Sequence, residues 1–105
     1  MIFHGFVCTV VHTFPGMVRW DWEKAATNLW KHGVDFADAV AAVEDEWAIE
    51  TPDDHPEEER WVAIGMDGLG RVLVVVYSWR DGEMRLISAR RSNPRERRRY
   101  SDRRA

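Results

Sequence analysis

Residues 71–91 run RVLVVVYSWRDGEMRLISARR, two β-prone stretches on either side of Asp81-Gly82. Asp-Gly between such stretches marks a two-residue hairpin, whose turn needs positive φ at both central positions. The run Val72-Leu73-Val74-Val75-Val76 is apolar at every position, which predicts a central strand buried on both faces. Upstream, Asp67-Gly68-Leu69-Gly70 is a second turn. Strands over Arg60–Met66, Arg71–Trp79 and Glu83–Arg91 are therefore expected to form an antiparallel meander.

The two-residue turn also sets the pairing. Arg80 faces Glu83, Ser78 faces Arg85, Val76 faces Ile87 and Leu73 faces Arg90, and paired residues share a face. One face carries Leu73, Val75, Tyr77, Trp79, Met84, Leu86, Ser88 and Arg90, and two helices are expected to cover it. The other carries Val72, Val74, Val76, Ser78, Arg80, Glu83, Arg85, Ile87 and Arg91, with Trp61 on the same side as a candidate for base stacking. There Arg80 and Arg85 are diagonal neighbours, roughly 7–8 Å apart at the backbone, near enough to grip one phosphate. Arg90 lies roughly 23 Å from Arg80 at about 3.3 Å per residue, too far to share it.

Beyond the hairpin, Asn93-Pro94-Arg95-Glu96 carries a cap, a first-position proline and a closing glutamate, the opening of a helix to about Arg104. That helix holds Tyr100 and six arginines, among them Arg97 and Arg98. Before the meander, nine of the sixteen residues from Glu44 to Glu59 are acidic, which predicts a loop with a short strand around Trp47–Glu50. Two helices precede it. Asp21 caps the first and Gly33 stops it, with Trp22, Ala26 and Leu29 as the inward stripe and Lys24, Asn28 and Lys31 opposite. Asp35 caps the second, with Phe36, Ala39, Val40 and Val43 inward. Val18, Trp20 and Trp22 alternate as one face of a first strand. The expected fold is α+β: a small antiparallel sheet, two helices after the first strand and a basic C-terminal helix. Residues 1–16 are an N-terminal extension, whether an added strand, a loose tail or translation from an upstream start, and 17–105 are the domain.

The 105 residues carry a net charge of −3, which by itself speaks against a nucleic-acid binder. The average conceals a division. Residues 1–59 hold three Lys or Arg against thirteen acids, and residues 60–105 hold twelve Arg against five. Such asymmetry favours an acidic or nucleic-acid partner for the basic half. A single cysteine, Cys8, excludes an intrachain disulfide and fits a reducing cytoplasm. No apolar run reaches the 18 or so residues that span a bilayer, so no membrane role is expected. His4, Cys8 and His12 share a face but lack a fourth ligand, and Asp53-Asp54-His55 with Glu57 reads as a solvated loop, so neither metal nor cofactor is expected.

Several spaced residues resemble one family. Trp20-Asp21-(x2)-Lys24, Asn28-(x2)-Lys31-His32-Gly33-Val34-(x)-Phe36, His55-(x3)-Glu59-Arg60-(x4)-Gly65 and Ile87-Ser88-Ala89-Arg90-(x5)-Glu96-Arg97-(x2)-Tyr100 look like BrnT. BrnT proteins are ribonuclease toxins of bacterial toxin–antitoxin modules. The resemblance runs in order from Met17 to Tyr100 and implies a RelE-like fold, metal-independent RNA cleavage and growth arrest. It also implies a ribbon-helix-helix antitoxin, through which alone operator DNA would be met. Trp22 stands where the family usually has proline, a change that a helix start tolerates.

Metal-free cleavage uses the RNA's own 2′-OH on the adjacent phosphate, so the protein must supply cations and move protons. Arg80 and Arg85 are the cationic candidates by geometry, Arg60 and Arg90 by motif, because guanidinium stays charged and binds phosphate bidentately. Histidine is the side chain suited to moving protons near neutral pH, so His32, with Lys31 beside it, is the candidate proton carrier, and Tyr100 is a more distant one. Lys24, Asn28, Trp61, Ser78, Arg91, Arg97, Arg98 and Tyr100 are candidates for binding RNA or antitoxin. Plainer readings stand beside these: a solvated stripe at Lys24, Asn28 and Lys31, a helix-end role for His32, and pairing of Arg60 or Arg90 with acids. A non-catalytic antitoxin-binding co-repressor, or an RNA-binding module without chemistry, would use the same arginines.

Overall fold

The computed structural model describes the backbone of Val7–Val11 and all of residues 18–105, with the backbone of Met17. The side chains of His4, Cys8 and His12 lie outside the described residues. The elements run β1 (Val7–Val11), β2 (Met17–Asp21), α1 (Trp22–His32), α2 (Phe36–Glu44), β3 (Ile49–Asp53), β4 (Glu59–Met66), β5 (Val72–Arg80), β6 (Glu83–Arg91) and α3 (Pro94–Arg104). They form one sheet in the order β1-β2-β6-β5-β4-β3. The α+β class and the helix order are as the sequence predicts. The sheet, however, is mixed rather than antiparallel, because β2 joins β6 in parallel through Val18↔Met84 and Arg19↔Arg85. A chain that leaves β2 through two helices and a meander returns beside it in the same direction. Val7–Val11 pairs antiparallel with β2.

Local chemistry sets the element ends. Asp21 accepts from the backbone of Glu23, and Gly33 closes α1 at φ 68°. Asn93 and Glu96 form the full capping box at α3. Asp81 and Gly82 have φ of 54° and 76°, as the two-residue turn demands. In the second turn, buried Asp67 accepts from the backbone of Leu69 and Arg71 and from Arg71 Nε, and Arg71 also reaches Gly33 O and Asp38. One arginine thereby ties the β4–β5 turn to the α1–α2 loop.

The hairpin register holds from Arg80↔Glu83 to Tyr77↔Leu86 and then shifts. Val76 pairs with Ser88, so Ile87 is the extra residue of a β-bulge. Every later residue of β6 changes face. Arg90 therefore lies opposite Val74 on the open face, and Arg91 lies opposite Leu73 on the helix-covered face, the reverse of the regular-register expectation. Trp61 is also corrected. β4 pairs Arg60 with Ser78 and Trp61 with Tyr77, which puts Trp61 on the helix-covered side, away from Arg85.

Two cores sandwich the sheet. Phe36, Ala39, Val40 and Val43 of α2 pack with Val18 and Val34 on Ala63, Leu73, Val75, Tyr77, Met84, Leu86 and Ala89. On the far side Tyr100 of α3 covers Ile64 and Val74. The α1 stripe is the larger surprise. Trp22, Leu29 and Trp30 are 58%, 48% and 85% exposed, whereas Asn28 is 6% exposed. Past Arg85, the described residues place no strand on the β2 side of β6, so a polar group must satisfy that backbone. Asn28 does so: its Nδ2 donates to Ala89 O and Val34 O, and its Oδ1 accepts from Ala89 N. A carboxamide has a peptide's donor and acceptor, so α1 docks on the strand as a strand residue would.

Candidate functional site

On the open face the register lines up one rung across four strands: Arg60 of β4, Ser78 of β5, Arg85 of β6 and Arg19 of β2. Neighbouring side chains on a rung stand roughly 5 Å apart, so Arg60, the buried Ser78 hydroxyl, Arg85 and Arg19 form a row about 15 Å long. With Arg80 and Lys24 they line a hollow of about 280 Å³, in which Asp21 and Glu58 are the acids. Five cations against two carboxylates make this a site for an anion.

The pairings there are incomplete. Arg60 donates Nε and Nη2 to Glu58 Oε1 at 3.2 and 2.9 Å. Arg19 Nε lies 3.0 Å from Glu83 Oε2 without hydrogen-bond alignment. Arg85 Nε is buried with no partner, and among the described residues neither Arg80 nor Arg85 forms an ion pair. Buried donors are normally satisfied, so the unpartnered Nε–H of Arg85, a residue that lines this hollow, calls for an acceptor from outside.

A second hollow of about 380 Å³ runs between α1 and β6, lined by Lys31, His32, Asn28 and Ser88. Lys24 and Ile87 line both, so the two are neighbours. His32 and Lys31 sit exposed at the end of α1 and belong to this groove, not to the arginine rung. Asn28, though in the groove wall, has its amide spent on the backbone.

The other sequence candidates fall elsewhere. Arg90 lies six residues along β5 from Arg80, roughly 20 Å at about 3.3 Å per residue. Its guanidinium grips Glu96 through Nη1 and Nη2 at 2.9 and 2.8 Å. That hydrogen-bonded pair, with opposing burial, raises the Arg90 pKa and lowers that of Glu96. Arg90 thus fastens the start of α3 to the sheet. Arg97 and Arg98 are exposed on α3. Tyr100 is buried and donates its hydroxyl to Asp45, so it anchors α3 and is not open to a ligand. The described residues contain no group of three His, Cys, Asp or Glu placed to hold a metal ion, and no helix long and apolar enough to cross a membrane.

Sequence reasoning missed Arg19. Its position between inward Val18 and Trp20 points it to the open face, and that much was available. Its neighbour Arg85 was not, because the parallel pair joins strands far apart in the chain.

The sheet thus carries two helices on one face and one on the other, with the arginine rung at one end. The chain matches the family described as the ribonuclease toxin BrnT of type II toxin–antitoxin systems over residues 20–96, and it belongs to that family. Its fold is similar to the crystal structure of the Brucella abortus ribonuclease toxin BrnT. The TM-score is 0.58 with 28% identity, covering 70% of this chain and 92% of that one. No curated protein matches the sequence. Membership makes RNA the substrate and a cognate antitoxin the partner.

Proposed function

We propose that the chain cleaves RNA without a metal, seating the scissile phosphate on the Arg60–Ser78–Arg85–Arg19 rung. The observation that carries this reading is the buried Nε donor of Arg85, which has no partner, next to Arg19 on the same rung. In the reaction the 2′-oxygen bonds to phosphorus as the bond from phosphorus to the 5′-oxygen breaks. One proton leaves the 2′-OH and another reaches the departing 5′-oxygen. The products are a 2′,3′-cyclic phosphate and a 5′-hydroxyl. Negative charge gathers on the non-bridging oxygens in the transition state, where fixed guanidiniums act most strongly. Arg80 and Lys24 extend the grip on the backbone. His32, with Lys31, lines the neighbouring groove and is the proposed carrier of the proton that leaves the 2′-OH at the rung. The antitoxin is proposed to be a ribbon-helix-helix protein that brings the complex to operator DNA.

The test is cleavage of single-stranded RNA by the purified chain in excess chelator, with the product ends identified. Cyclic phosphate and 5′-hydroxyl ends, lost in Arg85→Ala, are expected. Intact RNA with tight antitoxin binding would replace this reading with a non-catalytic co-repressor.

A further inference from the structure

The opposite face of the sheet holds a second, chemically inverse site. Trp61, Tyr77 and Trp79 line a cleft of about 470 Å³ beside α2, with Met84 among its lining residues. Tyr77 and Trp79 meet edge to face, with centroids 6.3 Å apart and planes at 83°. Among the described residues, the charged groups lining it are Glu44 and Glu50, both acidic.

These groups are held in place. The Tyr77 hydroxyl donates to Glu50 Oε1 at 2.9 Å, and Trp61 Nε1 donates to Glu59 Oε1 at 3.4 Å. A fixed carboxylate beside aromatic faces favours a flat cation that can stack and donate at once, which is the description of guanidinium rather than ammonium. Glu50 belongs to β3, and among the described residues no strand pairs with the outer side of β3. An extended peptide added along that edge would place alternate side chains on the cleft face.

We propose that this cleft receives an arginine side chain from an extended segment of a partner protein, laid along the outer edge of β3. The cationic hollow faces the other way, so RNA and this segment do not compete for the same residues.

Calorimetric titration of the full chain tests it, using a nine-residue peptide of neutral residues with one central arginine and matched peptides carrying lysine or glutamate. The arginine peptide is expected to bind, the lysine peptide several-fold more weakly and the glutamate peptide not at all. Glu50→Gln keeps an acceptor for Tyr77 and so keeps the fold, yet should weaken arginine binding at least about fivefold, as should Trp61→Ala. No binding, equal binding of all three peptides, or binding unchanged in Glu50→Gln overturns the proposal. So does concentration-dependent self-association abolished by Glu50→Gln, which would make a second copy the occupant. The readout is binding alone, so its failure leaves the ribonuclease reading standing.

Discussion

Asn28 and Ala89 exchange two hydrogen bonds across 61 residues, side-chain amide to strand backbone, at 2.8 and 3.0 Å. Ala89 follows the bulge at Ile87 by two positions. The clamp therefore holds the bulge that carries Arg90 to the same face as Arg85.

Asn28→Ala should destabilise the fold by about 3 kcal/mol, because the Ala89 N–H and two carbonyls lose a buried partner. Asn28→Asp should be worse, since a carboxylate would face the carbonyls of Val34 and Ala89. Urea unfolding followed by circular dichroism measures both. Equal stability of wild type and Asn28→Ala would contradict the clamp.

Arg85→Ala is expected to slow RNA cleavage by about 10²- to 10³-fold, the range for losing one transition-state donor. It should also make the salt dependence of single-strand binding shallower by about 0.7 in log–log slope. Arg90→Ala, which removes the Glu96 pair, should leave the cleavage step within about threefold and cost stability of at most about 1 kcal/mol, since that guanidinium is nearly half exposed.

The Asp45–Tyr100 contact predicts stability lost at both ends of the pH scale. Burial opposes ionisation of Asp45, but hydrogen bonds from Tyr100 and the backbone of Met66 and Trp47, with the Arg104 charge, hold its pKa below the ordinary 3.8. Its contribution is present above pH 3.8 and disappears as pH falls through the lowered value. Burial and Asp45 raise the Tyr100 pKa above 10, so its contribution is complete below pH 10 and is lost as pH climbs past it. In Tyr100→Phe the alkaline loss attributable to this residue should vanish and stability at pH 7 should fall by about 1–2 kcal/mol. Denaturant midpoints at pH 3, 7 and 11 decide it.

Gly65→Ala should cost at least about 3 kcal/mol. An added Cβ would stand 2.0 Å from the Ala42 carbonyl oxygen, backbone that cannot swing aside without lifting α2 from β4. Thermal unfolding should show a drop of more than about 10 °C for a domain of this size.

What the sequence made legible was local. Asp81-Gly82, the Asp21, Asp35 and Asn93 caps and the Gly33 stop each act within a few residues, and each formed as expected. Ser78 and Arg85 met because they lie close to the turn. The errors lie where distant chain segments meet. Ile87 bulges beside a clamp from Asn28, which no hairpin pattern encodes, and so Arg90 and Arg91 exchanged faces. The α1 stripe of Trp22, Ala26 and Leu29 looked inward by hydrophobicity, yet the strand it met needed a hydrogen-bonding group. Trp61 moved across the sheet because the β4–β5 register depends on the Asp67–Gly70 turn, which has no two-residue signature.

Arg19 and Lys24 come from the start of the chain, whereas Arg60, Arg80 and Arg85 come after its midpoint, and β2 meets β6 only when the last strand docks. A nascent chain still lacking β6 therefore has scattered arginines and no hollow. The hollow is thus a product of the completed sheet, formed by the β2–β6 pairing and by no local segment of the chain.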